Sequence, residues 1–184
     1  PNDVQALCDE DGRLPLDIAR EFLTRCGLLP SYFDQWLERI GRFRSFGTDW
    51  LLWTGSIADK CVGVLAVRGV PTDAETLVEE VGEGHSAVGT RNRLSEDSRV
   101  MRVNRNEWAL RTWGLEEYSG IVDEIAQRIE ERGGRAKLDD LAMEISSRFG
   151  VRESSVRVFA AAPAFVLEDG MVRLRGLDEP YEVR

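Results

Sequence analysis

The sequence predicts an α+β fold that is mainly helical and consists of three consecutive modules of similar design. Three observations lead to this prediction. The same order of helix, glycine and strand signals occurs three times, several segments carry apolar residues at helical spacing, and each repeat ends in two short alternating segments. With 184 residues, of which 42% are hydrophobic, the chain is long enough for three domains of about 60 residues each. We place the first module at residues 1–56, the second at 57–116, and the third at 117–184 with a short C-terminal tail.

Each module is predicted from the same succession of a glycine, a helix closed by a second glycine, another helix and two strands. In the first module the signals are Gly12, a helix over 17–26 closed by Gly27, a helix from Ser31, and strands at 42–44 and 50–53. In the second they are Gly69, a helix from Thr72 closed by Gly82, a helix from about Ser86, and strands at 99–103 and 108–111. In the third they are Gly134, a helix over about 138–149 closed by Gly150, a helix from about Glu153, and strands at 165–167 and 172–175.

Local chemistry supports these elements. Thr72 and Glu75 are spaced as in a capping box, in which a hydroxyl and a carboxylate reciprocally satisfy free backbone N–H groups at a helix start. Apolar residues at helical spacing predict an amphipathic helix over 121–132, which opens the third module, and a similar helix opens the second. Asp169 and Gly170 lie between two alternating segments and supply the positive φ angles that a tight hairpin turn needs.

Tryptophans recur at equivalent places in the predicted hairpins. They are Trp50, Trp53, Trp108 and Trp113. Because a strand packs back on the helices at these places, we expect most of these rings to belong to the core. Trp113 ends a strand just before the join to the next module, so we expect it to pack between modules.

Three helices followed by a two-stranded hairpin define a winged helix, in which the helix before the hairpin is able to enter a DNA major groove. The sequence therefore predicts tandem winged-helix units, each a helix-turn-helix with a β-hairpin. The joins at 54–56 and 114–118 are too short to act as flexible tethers, so neighbouring modules are expected to pack together.

The predicted second hairpin, residues 98–113, reads SRVMRVNRNEWALRTW. This segment resembles the hairpin that ends the HARE-type winged helix, a family that includes the folded domain of the delta subunit of bacterial RNA polymerase. The resemblance extends more loosely over 57–116. The first and third modules depart from it, since Trp53 closely follows Trp50 and the third hairpin has no tryptophan. The resemblance implies a role in transcription or in DNA-modification or defence systems, through contacts with DNA or protein.

A basic segment in the second module is the candidate nucleic-acid site. The chain has a net charge of −9, yet residues 86–105 contain five arginines against Glu96 and Asp97. The predicted recognition helix contributes residue types that read guanine and adenine edges, with Arg91 and Asn92 expected to face the bases, and the hairpin tip is placed to reach phosphates or a minor groove. The candidate contacts are Arg91, Asn92, Arg93, Arg99, Arg102, Asn104 and Arg105.

Two other interpretations of these arginines remain open. They form a solvated surface if they pair with Glu96, Asp97 or the acidic residues of the preceding helix, which are Glu75, Glu79, Glu80 and Glu83. They form a docking surface if the chain is a scaffold that binds RNA polymerase or an enzyme partner, which its acidic net charge favours. Weaker basic signals occur in the first module at Arg39, Arg42 and Arg44, and in the third at Arg148, Arg152 and Arg157.

The composition argues against several other classes of protein. His85 is the one histidine and the three cysteines are widely spaced, so we expect no zinc site, no disulfide framework, no cofactor and no enzymatic activity. A reducing, cytoplasmic setting fits such cysteines. No apolar run approaches the ~20 residues of a membrane-spanning helix, so we expect no membrane partner. Double-stranded DNA is the favoured partner.

Overall fold

A computed structural model describes residues 2–82, 84–177 and 179–180 of the chain. Glu83 and residues 181–184 of the predicted tail lie outside the described residues. Within them, helices alternate with three separate antiparallel sheets of three strands each, and more residues lie in helices than in strands. The prediction of a mainly helical α+β fold is therefore confirmed.

The same order of elements recurs three times: a helix, a short strand, two helices and a hairpin. The first module contains α1 (Asn2–Gln5), β1 (Arg13–Leu14), α2 (Leu16–Arg25), α3 (Phe33–Ile40), β2 (Phe43–Phe46) and β3 (Asp49–Leu52). The second contains α4 (Ile57–Arg68), β4 (Thr72–Asp73), α5 (Ala74–Val81), α6 (Ala87–Glu96), β5 (Val100–Arg102) and β6 (Glu107–Leu110). The third contains α7 (Ile121–Glu131), β7 (Arg135–Lys137), α8 (Leu138–Phe149), α9 (Glu153–Phe159), β8 (Phe165–Glu168) and β9 (Met171–Leu174). Short 3₁₀ turns lie at Pro30–Tyr32 and Arg111–Trp113.

Each sheet has one strand more than the predicted hairpin. The strand orders are β1-β3-β2, β4-β6-β5 and β7-β9-β8, so the last strand of each module lies in the centre of its sheet. Thr72 is paired with Trp108 in the second sheet, and Leu14 with Trp50 in the first. The three predicted hairpins are present. The additional strand of each sheet was not predicted, because strands of two or three residues are too short to show an alternating pattern.

The predicted capping box at Thr72 is also wrong. Helix α5 begins at Ala74, and its N-cap is Asp73, whose carboxylate accepts a hydrogen bond from the Thr76 amide at 2.9 Å. Thr72 lies in β4, where its hydroxyl donates to the Val70 carbonyl at 3.0 Å. Both residue types are good N-caps, and pairing of the backbone in the sheet decides which one is used.

A capping box does occur elsewhere in the chain, at the start of α4, the first helix of the second module. The Ser56 hydroxyl accepts from the Asp59 amide at 3.2 Å, and the Asp59 carboxylate accepts from the Ser56 amide at 2.8 Å.

The predicted turn at the third hairpin is confirmed, since Asp169 and Gly170 have φ angles of 49° and 75° between β8 and β9. Glycine at position 170 adopts this conformation without steric cost, and aspartate is one of the few other residue types that tolerate it, as at position 169.

By its internal contacts the chain divides into two compact units. The first comprises residues 1–101 and 107–115, and the second comprises 102–106 and 116–184. In the first unit, residues 60–65 of α4 are all buried. Six consecutive residues exceed a full helical turn, so α4 is covered on every side. The cover comes from both the first and the second modules.

The contact between α4 and the first module depends on Gly63. A Cβ atom at this position would lie 3.2 Å from Leu51 Cδ1 and 3.3 Å from the backbone oxygen of Asp11, so only glycine permits this approach without displacement. Leu51 is accordingly part of the core that surrounds α4. A second link is Arg44, whose guanidinium lies 4.8 Å from the centre of the Trp53 ring and donates to the Val81 carbonyl at 2.9 Å. The core around α4 therefore extends to Leu51 of the first module, while Leu37 and Trp50 belong to a separate apolar cluster of that module.

The core of the second unit includes a buried charged side chain. Arg128 of α7 is almost fully buried, and its Nε atom donates to Glu144 Oε1 at 2.8 Å. Its Nη2 atom lies 3.4 Å from Glu116 and 3.5 Å from Glu124, which is itself buried. The Ser119 amide and hydroxyl donate to the other oxygen of Glu124. This network joins α7, α8 and the segment that precedes α7.

Trp108 is expected to be a major contributor to the stability of the first unit. Its side chain is 5% exposed and packs in the core around α4, as predicted. Trp108→Ala should lower the free energy of unfolding by about 3–5 kcal/mol, because it leaves a large cavity. Urea unfolding followed by circular dichroism measures this change. Trp113→Ala is the matched control, since that ring is only partly buried and should have a smaller effect; an unchanged midpoint for Trp108→Ala would contradict the prediction.

Candidate nucleic-acid interface

Helix α6 lies between α5 and the second hairpin, and two buried residues fix its orientation. The Ser86 hydroxyl caps the helix by accepting from the Gly89 amide at 3.1 Å, which confirms the predicted start. Thr90 and Leu94, one turn apart, face the core. The opposite face is therefore directed outward, and its exposed residues are Val88, Gly89, Asn92, Arg93, Ser95 and Glu96.

The two arginines of α6 differ in their surroundings. Arg91 forms an ion pair with Glu75 of α5, and its side chain is 43% exposed. Arg93 is 69% exposed, and its nearest carboxylate oxygen among the described ion pairs is that of Glu96 at 3.9 Å. Their spacing of two residues, about 200° around a helix, accounts for this difference. Of the predicted contacts on α6, Asn92 and Arg93 thus face solvent, while the Arg91 side chain is paired with Glu75 of α5.

Arg99 connects parts of the second module that are distant in sequence. Its Nη2 atom lies 2.6 Å from Asp97 and 2.7 Å from Asp59, and its Nε atom donates to Asp97 at 3.0 Å. Hydrogen bonding by Arg99 lowers the pKa of Asp97 more than burial raises it. Burial raises the pKa of Asp59, but hydrogen bonds from Ser56 and Arg99 outweigh it and leave that pKa below its ordinary value. Arg99 therefore ties the start of β5 to the start of α4.

The predicted contacts at the hairpin tip belong to the second compact unit. The guanidinium of Arg102 lies 5.0 Å from the centre of the Tyr118 ring, and the Arg102 carbonyl accepts from the Tyr118 amide. The Arg105 amide donates to the Phe149 carbonyl at 3.3 Å, while its side chain is exposed. Asn104 Oδ1 accepts from the Asn106 amide, closing the turn. Sequence reasoning placed these residues at one tip but did not anticipate the packing of Arg102.

Most of the arginines noted in the first and third modules also have partners close to them. Arg42 donates to Gln5, Arg148 pairs with Glu116, and Arg157 pairs with Asp139 and Glu153. Arg39 and Arg152 are exposed. Arg44 serves the contact between the first two modules, as described above.

The charges of the three equivalent helices distinguish α6. Helix α3 carries Asp34, Glu38 and Arg39, and α9 carries Glu153 and Arg157. Helix α6 has two arginines, and its only carboxylate is that of its last residue, Glu96. A helix that approaches DNA must face a dense row of phosphate charges, and α6 meets this requirement better than α3 or α9.

Sequence reasoning did not single out Val88, which is 64% exposed on the outward face of α6. Its exposure was nevertheless predictable from the spacing of the apolar residues in α6. Val88 does not share the spacing of Thr90 and Leu94, so an apolar residue at this position falls outside the buried stripe of the helix.

The described residues hold neither a candidate metal site nor a membrane-spanning helix. They contain no cluster of three or more histidine, cysteine or acidic side chains arranged to hold a metal ion. No helix among them combines the length and apolarity required to cross a bilayer.

No protein-family model matches the sequence, and no curated protein is significantly similar to it. The resemblance of residues 98–113 to the HARE-type hairpin therefore stays a prediction.

The Arg99 cluster predicts a dependence of stability on pH. Asp59 and Asp97 have lowered pKa values in the folded chain, so their ion pairs stabilise it above the ordinary aspartate pKa of 3.8 and are lost as pH falls through the lower folded values. Arg99→Met should cost about 1–2 kcal/mol at neutral pH, discounted for partial exposure. Urea unfolding should show this difference shrinking below about pH 4.

Arg93→Met is the matched control for this experiment, because Arg93 is exposed and its ion pair is long. It should change stability by less than about 0.5 kcal/mol at either pH. A constant effect of Arg99→Met from neutral to acid pH would mean that packing of its aliphatic stem, and not its ion pairs, stabilises the fold.

Proposed function

We propose that the chain is a tandem winged-helix protein and that α6 of its second module binds duplex DNA. We place it, on its resemblance to HARE-type modules, in transcription regulation or in a DNA-modification or defence system. The observation that carries the DNA proposal is the charge of α6, which precedes the hairpin of its module and has no carboxylate before its last residue. The order of elements and the central last strand in each sheet support the winged-helix assignment.

Asn92 and Arg93 are the proposed base-reading residues. Both are exposed on the outward face of α6, and their side chains match the edges of adenine and guanine respectively. Arg91 contributes a phosphate contact after it leaves Glu75. An exposed ion pair contributes only about 0–1 kcal/mol, so a phosphate oxygen competes with Glu75 for this guanidinium.

The other predicted contacts have different parts in the proposal. The site proposed on α6 does not include Asn104 and Arg105, which belong to the second compact unit. Arg99 and Arg102 hold the ends of β5 through carboxylates and an aromatic ring, so we assign them mainly to positioning the hairpin.

Replacing Arg93 tests whether α6 reads DNA. Arg93→Ala should weaken binding by about 1–3 kcal/mol and relax the preference for one base pair, because it removes one base contact. Fluorescence anisotropy of labelled duplexes that differ at single base pairs, at about 50 and 200 mM salt, measures the affinity, the preference and the salt dependence. Arg39→Ala is the matched control, since it removes the same charge from the exposed face of α3 and should leave binding unchanged.

Two outcomes would contradict the proposal. Equal binding by the parent chain and a folded Arg93→Ala variant would mean that α6 is not the reading helix. Negligible binding by the parent at both salt concentrations would exclude the DNA function itself.

The ion pair between Arg91 and Glu75 gives a test in the opposite direction. Glu75→Gln should strengthen DNA binding about two- to fivefold, because it releases Arg91 for a phosphate. The gain should disappear in the double variant Glu75→Gln/Arg91→Ala. Glu79→Gln removes the same charge from an exposed position of α5 and serves as the control. If both glutamine variants strengthen binding equally, the effect comes from net charge and Arg91 has no part in it.

One observation favours a second function, a scaffold that docks on RNA polymerase or another enzyme. In the third module the helix equivalent to α6 exposes apolar residues: Val158 is 71% exposed and Phe159 is also exposed, as is Met143 of α8. Titration of purified RNA polymerase with the labelled chain tests this function. Saturable binding that Val158→Ser/Phe159→Ser abolishes would support it, and the lack of any binding would count against this partner.

A further inference from the structure

We propose that α6 selects a site in duplex DNA that contains a thymine, whose 5-methyl group packs against Val88. This inference rests on the proposed function and specifies the base pairs that the helix recognises. It begins from an aliphatic side chain that is 64% exposed on an otherwise polar helix face. Leaving such a side chain in water contributes nothing to folding, because Thr90 and Leu94 already anchor the helix.

The surroundings of Val88 suit close approach to a groove floor. A Cβ atom on the neighbouring Gly89 would meet the Ser86 hydroxyl at 3.1 Å and otherwise face open space. Because Gly89 has no side chain, the helix backbone is uncovered beside Val88 in the first turn of α6, and the valine side chain extends beyond it. A bulky neighbour would keep the helix backbone away from a base edge.

Asn92 lies one helical turn after Val88 on the same outward face. The two positions are about 6 Å apart along the axis and differ by about 40° in direction. This separation is a little less than two base-pair steps of about 3.4 Å. Thymine is the base that presents a methyl group in the major groove, and adenine is the one that offers the N7 and N6 pair to an asparagine. Together the two residues match a short A·T-containing site.

The charge of α6 favours DNA over a protein as the occupant of this face. Arg91 and Arg93 flank the valine on the C-terminal side, and the first two turns carry no carboxylate. A duplex offers both the phosphates that these guanidiniums bind and a methyl group for the valine. The exposed valine of α9 differs, since it adjoins an ion pair of Arg157 with Asp139 and Glu153.

The experiment uses the full chain and a duplex library with a randomised core. After selection, each thymine of the enriched duplex is replaced in turn by deoxyuridine, which keeps base pairing and lacks the methyl group. At one position the replacement should weaken binding about fourfold, the factor expected for removing one methyl group from a buried contact. The variant Val88→Ala should bind the thymine and deoxyuridine duplexes equally.

Val158→Ala is the matched control, because it truncates an exposed valine of the equivalent helix in the third module. It should keep the fourfold preference for thymine. If the parent chain shows no penalty for deoxyuridine, or if Val88→Ala keeps that penalty, the inference is wrong while DNA binding by α6 stands. If no sequence is enriched and the library does not bind in a salt-dependent way, the proposed function fails together with the inference.

Discussion

The burial of residues 60–65 of α4 on every side is the constraint on which the first compact unit depends. A helix of two or three turns in a small module normally exposes one face, but residues 60–65 are covered because two modules pack on them. Gly63 makes this possible by letting the first sheet approach the helix backbone. Leu94 belongs to the same core, so the orientation of α6, and with it the outward direction of Asn92 and Arg93, follows from the position of α4. The candidate site is thus set by residues that never face the solvent.

The second compact unit combines an apolar core with a buried ionic network. Arg128 is buried among four carboxylates, those of Glu116, Glu124, Glu131 and Glu144. The desolvation of its charge is offset by one hydrogen bond of 2.8 Å to Glu144 and by three longer ion pairs of 3.4–3.7 Å. Such a network stabilises one arrangement of α7 and α8 because any shift leaves a charge without its partner. It adds little net stability compared with an apolar core of the same volume.

The sequence predicted the long elements well and the short or long-range features poorly. Helices α7, α8 and α9 and the turn at Asp169 were predicted because each depends on local periodicity or local backbone preference. The third strand of each sheet was missed, since it consists of two or three residues that are strands only because the last strand lies beside them. At the candidate site, the start of α6 was predicted from Ser86. The pairing of Arg91 with Glu75 and of Arg99 with Asp59 depends on residues 16 and 40 positions away, and local patterns do not contain it.

The second hairpin has a consequence for how such a chain is able to change over evolutionary time. Its strands belong to the second module, yet residues 102–106 at its tip belong to the second compact unit, where the Arg105 amide donates to the Phe149 carbonyl. The boundary between folded bodies therefore does not coincide with any single point in the gene. Recombination that replaced everything after residue 116 would leave a hairpin tip shaped for a partner that is gone. Exchange of the third module for another domain would therefore require compensating changes in the five residues of that tip.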